Sequence, residues 1–66
     1  MFPNLEAEQA RNGHTNEYIA KKLGMSCRTY ENKKRSGKFY LQEVKALCKL
    51  YEMPLDYLFY YEESDR

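Results

Sequence analysis

The side chains able to do chemistry in this 66-residue chain are few, and they gather in one stretch. His14 is the only histidine, and Cys27 and Cys48 are the only cysteines. One histidine and two cysteines cannot assemble a zinc site, and two thiols are too few for a disulfide framework. No nucleophile accompanies His14 as a general base, so it reads as a turn or partly buried packing residue. Cys48 reads as a small core residue. With no acid/base pair, metal cluster or phosphate loop, the chain is expected not to be an enzyme, and no cofactor, metal or small-molecule ligand is expected. Hydrogen-bonding and cationic side chains crowd instead into Ser26-Cys27-Arg28-Thr29-Tyr30-Glu31-Asn32-Lys33-Lys34-Arg35 and Lys38. Such a series suits recognition of a polar, anionic surface.

The charge pattern points the same way. The net charge is only +1, which by itself argues against a nucleic-acid partner. Between Arg11 and Lys49, however, ten basic residues face only Glu17, Glu31 and Glu43, while the last seventeen residues carry Arg66 against five acidic ones. This segmental polarity can set a basic face opposite an acidic one. Hydrophobic residues at 42% and charged residues at 32% describe a small soluble domain with a thin core. Neither a spanning apolar run nor a secretory signal is found, so a cytoplasmic location with no membrane contact is expected, with both cysteines as free thiols.

Short helices must position these residues. Gly13, Gly24, Ser36-Gly37 and Pro54 punctuate the chain at intervals that suit helices of two to three turns. Asn4 can cap a first helix running to about Asn12, with Leu5 and Ala10 inward and Gly13 as a left-handed stop. Thr15 can cap a second helix, residues 16–23, with Ile19, Ala20 and Leu23 on one face. Met25 then forms a buried link, and Ser26 can cap a third helix to about Lys34 with Tyr30 turned to the core. Phe39 and Leu41 open a fourth apolar segment in which Val44, Leu47, Cys48 and Tyr51 recur at three- and four-residue steps. Pro54 suits the first turn of a fifth helix, where Leu55, Leu58 and Phe59 close the base of the bundle. Residues 1–61 should form the domain and 62–66 a frayed acidic tail. Leu58 and Phe59 satisfy the core, whereas Tyr57, Tyr60 and Tyr61 cannot all face it, so they mark a candidate homodimer interface.

The second and third helices meet over a very short turn, which calls for a small residue at the contact, here Ala20, and for one that tolerates positive φ, here Gly24. On the stretch Thr15-x-x-x-Ile19-Ala20-Lys21-Lys22-Leu23-Gly24-Met25-Ser26, the later Tyr30-x-Asn32-Lys33, Phe39-x-Leu41-x-x-Val44 and Pro54-Leu55-Asp56-Tyr57-Leu58-Phe59, the chain resembles the lambda-repressor-like helix-turn-helix family of Cro or XRE type. The resemblance implies an all-α, compact five-helix bundle with the helix-turn-helix at helices 2 and 3. It further implies a sequence-specific double-stranded-DNA-binding transcriptional regulator, such as a phage or bacterial repressor that occupies an operator. The alternative is a protein-interaction module on the same fold, antitoxin-like or an inhibitor of a host protein.

Base-reading positions carried over from the family fall on Ser26, Cys27 and Arg28, with Glu31 and Asn32 one turn later. Arg28 can contact guanine O6 and N7, Asn32 can pair with adenine or bind a phosphate, and Glu31 can accept from cytosine N4. Cys27 is either a thymine-methyl contact or a tolerated small residue on the helix face. Phosphate anchoring would fall to Asn16 at a helix N-terminus and to Thr29, Lys33, Lys34, Arg35 and Lys38, although the basic run could be merely a solvated face. Three departures stand out. The family usually carries Gln where Asn16 stands, an aliphatic residue where His14 stands, and a second apolar anchor late in the third helix, where this chain has Lys33 and Lys34.

Overall fold

The computed structural model describes residues 1–62. Five helices follow in order: α1 Pro3–Arg11, α2 Asn16–Leu23, α3 Cys27–Ser36, α4 Leu41–Tyr51 and α5 Leu55–Leu58. No strand occurs among the described residues, and none of these helices is long and apolar enough to cross a membrane.

Local chemistry sets most of the boundaries. The Thr15 hydroxyl accepts from the Tyr18 N–H at 3.0 Å and starts α2, while Gly24, at φ 74°, ends it with the left-handed turn foreseen for that position. Ser26 Oγ accepts from the Thr29 N–H at 3.1 Å and starts α3, and Gly37 at φ 81° stops it. This helix therefore runs two residues beyond the Lys34 expected as its end. The start of α1 also differs. Asn4 is not its cap; Phe2 holds that position, Pro3 opens the helix, and the Asn4 amide instead donates to the Tyr57 carbonyl at 2.8 Å. Pro54 caps α5 from outside rather than lying in its first turn.

Leu5, Ile19, Tyr30, Leu47 and Leu58 are fully buried, with Phe2, Ala20 and Tyr51 completing the core. Burying each aliphatic side chain contributes roughly 1.5–3 kcal/mol. A second layer is aromatic: the Phe2 ring lies edge-on to Phe39, Phe59 and Tyr61, with centroids 5.0–5.7 Å apart. Phe2 thereby ties the chain start to the far end, where the Glu62 N–H donates to the Met1 carbonyl at 2.9 Å. Glu62, expected in the frayed tail, is held by this bond; residues 63–66 of that tail lie outside the described residues. The Cα radius of gyration is 11.0 Å, against about 11 Å for a compact chain of this length.

Some inward expectations are corrected. Ala10 is exposed, while Glu8 and Gln9, one turn on from Leu5, are buried in its place. Leu41 and Leu55 are 65% and 50% exposed, because each opens its helix on the solvent side. The tyrosine cluster is also dispersed. Tyr57 Oη donates to Glu8 Oε2 at 3.1 Å, a bond that, with burial, raises its pKa, and Tyr61 Oη reaches the Arg35 carbonyl at 3.4 Å. Only Tyr60 of the three lacks a side-chain partner among the described residues, and it is half exposed. His14 packs as expected: its ring stacks on Tyr18 and its Nδ1 is 2.8 Å from Tyr51 Oη.

Candidate nucleic-acid interface

Three residues, Gly24, Met25 and Ser26, separate α2 from α3, and the two helices pack on each other. The inner face of α3 is fixed by Tyr30, whose ring is fully buried and whose hydroxyl donates to Gln9 Oε1 at 2.9 Å. Burial raises the Tyr30 pKa, so it stays a hydrogen-bond donor throughout the neutral range.

The second inner anchor of α3 is Lys34. Expected among the phosphate-binding residues, it is instead only 7% exposed. One turn beyond Tyr30, it falls on the same helical face. Its ammonium lies 5.0 Å from the Tyr30 ring centroid, pairs with Glu6 Oε2 at 2.8 Å, and donates to Asn16 Oδ1 at 2.8 Å and Gln9 Oε1 at 3.5 Å. An ammonium so enclosed, with a carboxylate and two amide oxygens around it, is not available to a phosphate. A charged side chain thus fills the place where the family pattern has an apolar one.

Asn16 belongs to the same network. Its Oδ1 accepts from Gln9 Nε2 at 2.8 Å as well as from Lys34, and its Nδ2 donates to Glu31 Oε2 at 3.2 Å. The side chain expected to hold a phosphate is therefore engaged, and the first-turn N–H groups of α2 are what this end retains for an anion. Lys33 is engaged too: it pairs with Glu43 at 3.3 Å and lies 4.1 Å from the Tyr40 ring centroid. Glu43 Oε1 also accepts from the Tyr40 N–H at 2.9 Å, so this pair fastens the end of α3 to the start of α4.

The outward face is different. Cys27, Arg28, Glu31, Asn32 and Arg35 line one shallow polar concavity, so four of the five expected base-reading residues lie together with Arg35. Arg28 is exposed and has no ion-pair partner among the described residues. Arg35 Nη1 donates to Asn32 Oδ1 at 3.1 Å, which orients both side chains. Cys27 donates to Glu31 Oε2 at 3.5 Å, and its pKa is raised by partial desolvation and by this carboxylate, which keeps it a thiol rather than a nucleophilic thiolate. Ser26, the fifth, spends its hydroxyl on capping: besides accepting from the Thr29 N–H it donates to Thr29 Oγ1 at 2.9 Å. Lys38 is exposed. Sequence reasoning missed Glu6 and Gln9, which never reach the surface concavity yet hold the residues behind it.

Comparison of the chain with models of protein families, with curated proteins and with solved structures finds no match.

Proposed function

We propose that this chain is a sequence-specific double-stranded-DNA-binding regulator of lambda-repressor-like type, with α3 as the helix that enters the major groove. The observation that carries the reading is the division of labour on α3: Tyr30 and Lys34 fasten its inner face, while Arg28, Asn32 and Arg35 stand around a polar concavity on its outer face. An outward helix with guanidinium and carboxamide groups one turn apart matches the donor and acceptor pattern of base edges in a groove about 12 Å wide. Lys21, Lys22 and Lys38 are exposed without ion pairs among the described residues, and would supply the phosphate contacts that Lys34 does not. Repression would follow from occupancy of an operator. The test is binding to duplex DNA at graded salt. Affinity should fall steeply as salt rises, and Arg28→Ala should weaken binding while relaxing preference at one base position. Absent or salt-independent binding would refute the reading.

A second reading, a protein-interaction module on the same bundle, draws on the exposed Tyr40, Leu41, Leu55 and Tyr60. Tyr57, Tyr60 and Tyr61, of which Tyr60 is the most exposed, are the residues through which two copies would meet, setting two α3 helices one DNA turn apart on a palindromic site, about 34 Å. Sedimentation at micromolar concentration, with and without duplex, decides the homodimer: a two-copy species supports it, and monomer under both conditions excludes it.

A further inference from the structure

The hydrogen bonds behind α3 run in one direction only, and that direction ends on its outer face. Glu6 pairs with the Lys34 ammonium at 2.8 Å. An ammonium can only donate, so the atom of Asn16 that faces it must be Oδ1, and Gln9 Nε2 donates to the same oxygen. A flipped Asn16 amide would set its NH2 against two other donors, so Nδ2 is forced outward, where it donates to Glu31 Oε2 at 3.2 Å. Cys27 donates to the same carboxylate oxygen. Glu31 Oε1 has no hydrogen-bond partner among the described residues, and Glu31 lines the concavity with Arg28 and Asn32.

We infer that Lys34 and Asn16 are positioning residues for base selection. They hold Glu31 so that Oε1, an obligate acceptor, meets an exocyclic amine in the major groove, the N4 amine of cytosine or the N6 amine of adenine. A thymine or guanine at that position presents oxygen to oxygen and is rejected. The inference rests on the DNA-binding reading and adds to it the chemical class of base that the site takes and the buried residues that impose the choice.

Asn16→Asp isolates the effect. A carboxylate at position 16 still accepts from Lys34 and Gln9, so the inner bonds remain, but it no longer donates to Glu31 and repels it. Selection from randomised duplex DNA by the whole chain should give, for the wild type, one position occupied by cytosine or adenine over thymine or guanine by about tenfold, the scale of a hydrogen bond to a charged group; the enriched base says which amine is read. Asn16→Asp should flatten that position to less than about twofold, with the melting temperature within a few degrees of the wild type, since the lost exposed bond to Glu31 is offset by the new charge pair with Lys34. Asn16→Asp combined with Glu31→Gln should restore the preference, because the new amide at position 31 donates to the new carboxylate at position 16 and again turns its oxygen outward, at unchanged net charge. Purely structural residues would give no such rescue. An unaltered preference in Asn16→Asp, or a double variant no better than the single one, overturns the inference. The relay is also read without DNA: in the isotope-labelled free protein Glu31→Ala should move the Asn16 side-chain amide resonances, and their failure to move refutes it outright. If they move and the wild type selects no sequence, the DNA-binding reading falls and the base-selection role falls with it, while the relay stands as a structural fact.

Discussion

Replacing Lys34 tests the inner face of α3 most severely, because the structure gives opposite expectations for two substitutions at one site. The Lys34 ammonium is enclosed by Glu6 Oε2, Asn16 Oδ1 and Gln9 Oε1 within 3.5 Å. In Lys34→Met the acceptors are not orphaned: the Glu6 side chain is 46% exposed and can rehydrate, Asn16 Oδ1 keeps Gln9 Nε2, and Gln9 Oε1 keeps the Tyr30 hydroxyl. The lost interactions are a half-exposed ion pair of about 0–1 kcal/mol, a cation–π contact of about 1–2 kcal/mol and the charged hydrogen bond to Asn16 Oδ1, about 1.5–3 kcal/mol. Against them stands relief from burying an ammonium, several kcal/mol before its partners are counted. The net change should stay within about 1 kcal/mol of zero, a shift in melting temperature of less than about 8 °C for a domain this small. Lys34→Glu instead puts a carboxylate against three acceptors and should cost at least about 3 kcal/mol, comparable with the whole stability, about 3–5 kcal/mol, that a core of this size supplies. Urea titration followed by circular dichroism measures both. A Lys34→Glu variant as stable as the wild type would show that the side chain points to solvent, and a loss above about 3 kcal/mol in Lys34→Met would show that the ion pair, not its shape, stabilises the fold.

Three further outcomes are expected. Burial pushes the Tyr51 phenol from its ordinary 10 up to about 12; folding then favours the protonated form, so its contribution is full below pH 10 and is lost as pH rises from 10 to 12, which alkaline melting curves should show as a falling midpoint across that interval. Glu52, at φ 54°, is the one non-glycine residue with positive φ among the described residues, and Glu52→Gly should stabilise the protein by about 0.5 kcal/mol, raising the melting temperature by a few degrees. Gly24→Ala meets open space and should cost only the left-handed strain of about 1–2 kcal/mol, whereas a Cβ at Gly37 falls 3.2 Å from Tyr61 Cε1, so Gly37→Ala should be the more destabilising in parallel denaturant titrations.

The parts of the fold legible in the sequence are those set by local chemistry. Thr15 and Ser26 as caps, Gly24 in the intervening turn and the α4 stripe ending at Tyr51 all follow from hydrogen-bond capacity, φ preference and helical spacing. Long-range contacts were not legible: nothing near Phe2 announces that its ring will meet Phe39, Phe59 and Tyr61, or that Asn4 will bond a carbonyl 53 residues away instead of capping its own helix. At the candidate site the outer face of α3 could be read from the residue types, but the direction of Lys34 could not be read from its charge. Its spacing did carry the signal, since a residue four after the buried Tyr30 shares that face. What the residue type hid is that oxygens of Glu6, Gln9 and Asn16, on α1 and α2, would be there to receive it. The hydroxyl partners of Tyr57 and Tyr61, Glu8 and the Arg35 carbonyl, were hidden for the same reason: they come from distant segments.

The most direct measurement is a titration of the isotope-labelled chain with a duplex enriched by selection, followed residue by residue by nuclear magnetic resonance. If α3 enters the groove, the largest shifts fall on Cys27, Arg28, Glu31, Asn32 and Arg35 and on the first turn of α2, and the Lys34 and Tyr30 side chains, facing inward, move least. Shifts concentrated instead around Leu41, Leu55 and Tyr60, or a spectrum that DNA leaves unchanged, would contradict the assignment of α3 as the reading helix.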